Sequence, residues 1–114
     1  MNIEAVIMEH LNNAGINATV HIPRPRPERF VSIERTGGNK SNIVLDYPMI
    51  TIQSWAKTRY DASELAASVD VVMLAIPNYY TNICSCTRNS LYYFPDPDSD
   101  QPRYQAVYDL VVND

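Results

Sequence analysis

Three aspartates at alternating positions, Asp96, Asp98 and Asp100, form the first group in this chain whose type and spacing could do chemistry. Alternate carboxylates on a loop can converge on a hard cation such as calcium. The remainder of a calcium loop is missing. Counting from Asp96, Gln101 stands sixth, where the turn needs glycine, and Val107 stands twelfth, where a bidentate glutamate belongs. A solvated turn is therefore the expectation. GGNKS at residues 37–41 resembles the end of a phosphate-binding loop, whose glycines let backbone amides approach phosphate. Here Asn39 separates the glycine from Lys40, and Ile33 occupies the place of the first glycine, so no nucleotide site is expected.

The remaining reactive side chains point the same way. His10 and His21 have no nucleophile at a recognised spacing, and both are expected at solvated positions. A small hydrolase or ligand-binding domain built around His21 and the acidic loop is the reading of another class; a buried pocket converging on His21 would favour it. Cys84 and Cys86 on a strand would share one face about 6.6 Å apart, which disfavours a mutual disulfide. The two histidines give them no zinc spacing, so free structural thiols are expected, with no metal and no cofactor. Interest shifts to charged loops. Glu34, Arg35, the Gly37 and Gly38 turn, residues 96–100 and Arg103 place opposite charges on stretches expected to be exposed. Such charges set register between copies of a subunit, or pair within one chain.

The elements that must position these residues follow from periodicity. Ile3, Val6, Ile7, Leu11 and Ala14 recur at helical spacing, which predicts a helix over residues 2–14 stopped by Gly15. Residues 16–22 read as a strand ended by Pro23, and PRPRP at 23–27 as an extended connector. A strand over 30–35 leads into a turn at 36–42, and the second arm of the hairpin runs over 43–55 with Ile50 and Ile52 on one face. Pro48 in that arm implies a bulge or an edge position. Asp61 as N-cap and Glu64 three residues on suggest a capping box, followed by the stripe Leu65, Val69, Val72, Met73 and Ile76, with Pro77 as the stop. Strands are expected over 83–88 and 104–112, the second apolar on both faces, as a central strand would be. This order predicts an α+β domain: a mainly antiparallel sheet with two helices packed on one face.

Composition bounds the function. A chain of 114 residues is expected to form one domain over its whole length. The net charge of −4 argues against a phosphate-reading surface, and Arg24, Arg26 and Arg29, interleaved with prolines, read as a solvated connector. No specific nucleic-acid partner is expected. The first eight residues include Glu4 and lack a basic leader, so the chain is expected to be made and kept in a cytoplasm. The best apolar stretch, residues 69–76, contains Asp70 and falls far short of the ~20 residues of a membrane span. Eight tyrosines, against two phenylalanines and one tryptophan, suit half-buried surfaces and protein interfaces.

PRPERFVSIERTGG at residues 25–38 and FPDPDSDQPRYQAVYDL at 94–110 together resemble the tail terminators of long-tailed, siphovirus-like phages of the lambda type. Between them, VLDYPMITIQSWAKTRYDASELAASVDVVM at 44–73 is similar to the strand, tryptophan and alanine-rich helix of that family, so the resemblance spans residues 23–112. It implies a small α+β virion protein, assembled in the host cytoplasm and sited at the head-proximal end of the tail. Its partners would be copies of itself in a ring expected to be hexameric, the tail tube protein, and a head-side connector or completion protein. The resemblance and the loop placement together put the assembly interface at Arg35, Thr36, Gly37, Gly38, Asp96, Asp98, Arg103 and Tyr104. Replacing Arg35 and Arg103 by glutamate is then expected to impair assembly while leaving the isolated fold intact. A neck or tail-completion protein that joins the head connector without setting tube length is the alternative.

Overall fold

The computed structural model describes residues 1–40 and 44–113. Helix α1 spans Ile3–Asn13, and Asn2 caps it by accepting the Ala5 N–H at 3.1 Å. Ile3, Ile7 and Leu11 are buried, one apolar stripe at helical spacing. Gly15 ends the helix at φ 85°, with Gly15 N–H bonding the Asn12 carbonyl and Ile16 N–H bonding that of Leu11, both at 3.0 Å. That pair of bonds is a Schellman motif, and Ile16 and Leu11 are both buried, as its hydrophobic contact requires.

Strand β1 is only Ala18–Thr19, parallel to Val31 and Ser32 of the next strand. The strand expected over 16–22 is cut short because the Thr19 hydroxyl accepts the His21 N–H and turns the chain outward. In the proline connector the Arg24–Pro25 peptide is cis.

Strands β2, Phe30–Lys40, and β3, Leu45–Trp55, form a long antiparallel hairpin. Residues 36–40, expected in the turn, lie inside β2: Gly37 pairs with Met49, Gly38 with Pro48 and Asn39 with Tyr47. Ser41, Asn42 and Ile43, where the turn and the second arm were expected to meet, lie outside the described residues. Pro48 sits in a central strand rather than at an edge, and the bulge of this hairpin lies in β2 between Arg35 and Gly37, opposite Ile50 and Met49 rather than at Pro48. Gly38, directly opposite Pro48, has φ 98°; a Cβ there would sit 2.0 Å from the Tyr47 carbonyl oxygen.

Helix α2 spans Arg59–Leu74. Its N-cap is Thr58 rather than Asp61: extended Thr58 accepts the Asp61 N–H at 3.1 Å, which leaves Asp61 in the first turn, where the helix dipole favours an acid. Ala62, Leu65, Ala66, Val69 and Met73 are buried. A 3₁₀ turn, Ile76–Asn78, takes over where Pro77 lacks the N–H to continue the helix. Strand β4, Ile83–Tyr93, runs well past the expected end at residue 88 and pairs antiparallel with β5, Arg103–Asn113.

The sheet order is β1-β2-β3-β5-β4, mixed only through the short β1, and the chain is an α+β fold. Ile33, Ile52, Ala106 and Leu110 face the helices across three strands, in a core that also holds Ile7, Leu65, Val69 and Met73. Each Val, Leu, Ile or Met side chain among them contributes about 1.5–3 kcal/mol by leaving water. Strand β5 lies between β3 and β4, which accounts for its two apolar faces. Asp70, the acid interrupting the apolar run of α2, accepts from the buried Tyr108 hydroxyl at 2.9 Å and pairs with Arg88 at 3.2 Å. Burial, then the bond to Asp70, pushes the Tyr108 phenol far above its ordinary range.

The cysteines do not share a face. A bulge between Ile83 and Ser85 breaks the alternation, so Cys86 is buried toward the helices while Cys84 is exposed. Both are free thiols. Burial, assisted by the charges of Asp70 and Asp109, pushes the Cys86 thiol up to about 12, which makes it inert at neutral pH. No helix of the described residues is long and apolar enough to cross a membrane.

Candidate functional site

The eight residues singled out from the sequence fall into two clusters. Arg35 pairs with Ile50 and Arg103 with Trp55 along β3, five residues or roughly 17 Å of strand apart. They do not form one continuous charged patch.

In the first cluster, Arg35 grips Asp46 with both terminal nitrogens at 2.9 Å, and its Nε donates to the Gly37 carbonyl at 3.1 Å. The fork-on-carboxylate geometry raises the already high Arg35 pKa, against the cost of burial. The backbone N–H of Arg35 points away from β3 and donates to the Glu4 carboxylate of α1 at 3.1 Å. Thr36 and Thr51 share a hydroxyl hydrogen bond at 2.8 Å. These bonds lock the bulge that sets Gly37 and Gly38 against β3.

The second cluster closes the other end of the sheet. Phe30 and Trp55, paired across β2 and β3, stack at 5.3 Å with planes 12° apart. The Arg103 guanidinium lies 4.8 Å from the Trp55 ring centre and 4.9 Å from that of Phe94, and its Nε donates to the Phe94 carbonyl at 2.8 Å. Arg26, from the proline connector, lies 5.1 Å over Trp55 and pairs with Asp96 at 3.1 Å.

Asp96 and Arg103, expected at the surface, are only 6% and 7% exposed. The loop of residues 94–103 folds back over the tryptophan and carries both inward. Asp98 and Asp100 do remain exposed, while the Asp98 N–H donates to Asp96 at 3.3 Å. Tyr104 projects from the opposite face of β5 to Arg103, where it packs on Tyr93 at 5.3 Å and accepts from Arg59 at 3.4 Å.

The Asp96 carboxylate accepts from Ser99 at 2.6 Å, from Arg26 and from the Asp98 amide, and in that order these hold its pKa down at about 2 against the opposing effect of burial. A depressed carboxylate pKa gives a contribution to stability that is present above the ordinary value of 3.8 and lost as pH falls through about 2. Wild-type melting temperature is therefore expected to fall between pH 4 and pH 2 in part through this group. Asp96→Asn should flatten that segment of the profile measured by circular dichroism; an unchanged slope would show that Asp96 is not the group responsible.

Between the clusters, the face of the sheet turned away from the helices carries a row the sequence does not advertise. Trp55 Nε1 donates to Ser32 Oγ at 3.1 Å, Ser32 to Gln53 at 3.3 Å, Gln53 to Gln105 at 2.9 Å, and Gln105 to the Tyr92 hydroxyl. One chain of side-chain hydrogen bonds thus crosses four strands. Its signal was present only as polar residues at the outward positions of alternating strands, and the strand order was needed to line them up.

His10 is buried rather than solvated, because α1 presses it against α2, where Nε2 carries the proton and donates to the Val72 carbonyl at 3.0 Å. His21 is exposed, as expected. No cluster of three metal-ligating side chains occurs among the described residues. No protein-family model matches the chain, and neither does any curated protein.

Proposed function

We propose that this protein is a tail terminator of a long-tailed phage, a ring that caps the last ring of the tail tube and offers its other face to the head-side connector. Beyond the sequence resemblance, the observation that supports this reading is the inequality of the two borders of the sheet. At one border stands β4, an eleven-residue strand paired only with β5 among the described residues. At the other, β2 is covered in part: β1 takes Val31 and Ser32, and Glu4 caps Arg35. All three ladders from β2 to β4 are antiparallel, so the two border strands run in opposite directions.

A neighbour related by rotation can therefore lay the uncovered end of its β2 antiparallel to β4, satisfying backbone groups that otherwise stay open. Contact between unlike borders is head-to-tail and can close a ring. Capping then needs only that one rim of the ring complement the tube end while the other lacks the surface that recruits another tube subunit. Purified tail tubes mixed with a gold-tagged copy of the protein test the reading. Label at one end only is the expected result; label at the portal-side connector instead would assign the neck role, and label along the tube or nowhere would refute both.

A further inference from the structure

The C-terminal ends of α1 and α2 meet at an apolar groove of about 400 Å³. Its walls are His10, Val71, Val72, Ala75, Tyr79 and Tyr80. The His10 ring meets those of Tyr79 and Tyr80 at 5.1 and 5.5 Å, and so forms an aromatic corner. Val71 and Tyr79 are 72% and 71% exposed, and Leu74 beside them is 44% exposed. Large apolar side chains gathered this way, rather than scattered singly, mark a contact surface.

The electrostatics of the groove favour a cation. Two helix C-termini point their partial negative charge at it, and the last turn of α2 contains no basic residue to offset its own. Glu9 adds a formal negative charge close enough to act on Tyr80. Tyrosine faces bind guanidinium groups well.

The same chain carries the complementary element. Arg24 is exposed between Pro23 and Pro25, and neither it nor exposed Arg29 has a side-chain partner among the described residues. Arg26, bound to Asp96, anchors the connector from within. A proline-flanked arginine loses little conformational freedom on docking. The connector runs from β1 over Trp55 to the β4–β5 loop, whereas the groove opens among the C-terminal ends of the two helices.

We infer that the arginine–proline connector of one copy docks, through Arg24, in the Tyr79 and Tyr80 groove of the next copy. This rests on the ring reading: arm and groove are different surfaces, as a head-to-tail interface requires.

Sedimentation equilibrium of the full chain tests the contact. Arg24→Glu and Tyr79→Ala each change an exposed side chain and should leave the circular dichroism melt in place. Each is expected to weaken self-association at least about tenfold, as loss of an interface anchor does. An equimolar mixture of the two variants should still form a one-to-one heterodimer, because it retains one intact arm and one intact groove, and should go no further. Wild-type assembly unaffected by either variant would overturn the docking while leaving the ring reading in place. A chain monomeric at every concentration would overturn the docking between copies as well, and tail length would still decide termination separately. A photocrosslinker in place of Tyr79 should capture residues 23–29 of another copy; capture of a different segment would likewise refute the proposal.

Discussion

Arg103→Glu is expected to destabilise the isolated protein by about 3–5 kcal/mol, seen as a large drop in the urea midpoint at unchanged slope. The guanidinium is held between the faces of Trp55 and Phe94 and ties down the Phe94 carbonyl. A carboxylate there would meet the negative faces of two rings and the field of Asp96, with the Phe94 carbonyl losing its donor. Arg35→Glu should cost far less, about 1 kcal/mol, because the Arg35 side chain is 33% exposed and water can replace part of its pairing with Asp46. The double charge reversal cannot serve as a clean assembly test, contrary to what the sequence implies, since one of its halves attacks the fold. If Arg103→Glu instead stayed within about 0.5 kcal/mol of wild type, the stacked cluster would be ornamental and Arg103 would belong to the surface after all.

Gly38→Ala should cost at least about 3 kcal/mol, combining a left-handed backbone with a clash no side chain can relieve. The new Cβ would meet only backbone: the Tyr47 oxygen at 2.0 Å, and the Met49 nitrogen and Pro48 Cα at 2.8 Å. Gly37→Ala is the control. Its Cβ would find Met49 Sδ at 3.9 Å, an ordinary contact, so a change within about 1 kcal/mol is expected. Equal effects at the two positions would mean that the hairpin relaxes around Pro48 and that Gly38 is not required opposite it.

Both cases show what could be read in advance. The amphipathic stripes of α1 and α2, the stop at Gly15 and the alternation of β5 are local patterns, and the helices, the sheet face they cover and the α+β class followed from them. Local pattern failed where a distant partner decided the outcome. Gly37 and Gly38 look like a turn, yet pairing with residues 48 and 49 draws them into β2. The acidic run looks solvated, yet Arg26, seventy residues earlier, binds Asp96 and folds the loop inward. His10 sits on a helix that reads as half polar, and only the approach of α2 buries it. The two halves of the expected interface are each locally sensible, but their separation along β3 depends on strand register, which spacing in sequence does not encode.

Deleting the gene from a phage that carries it and measuring tail lengths in lysates by electron microscopy tests the proposed termination most directly. Termination predicts unattached heads together with tubes longer than the wild-type length. Tubes of normal length would contradict it: unjoined to heads they would assign the protein to completion of the neck, and in intact virions they would remove it from tail assembly altogether.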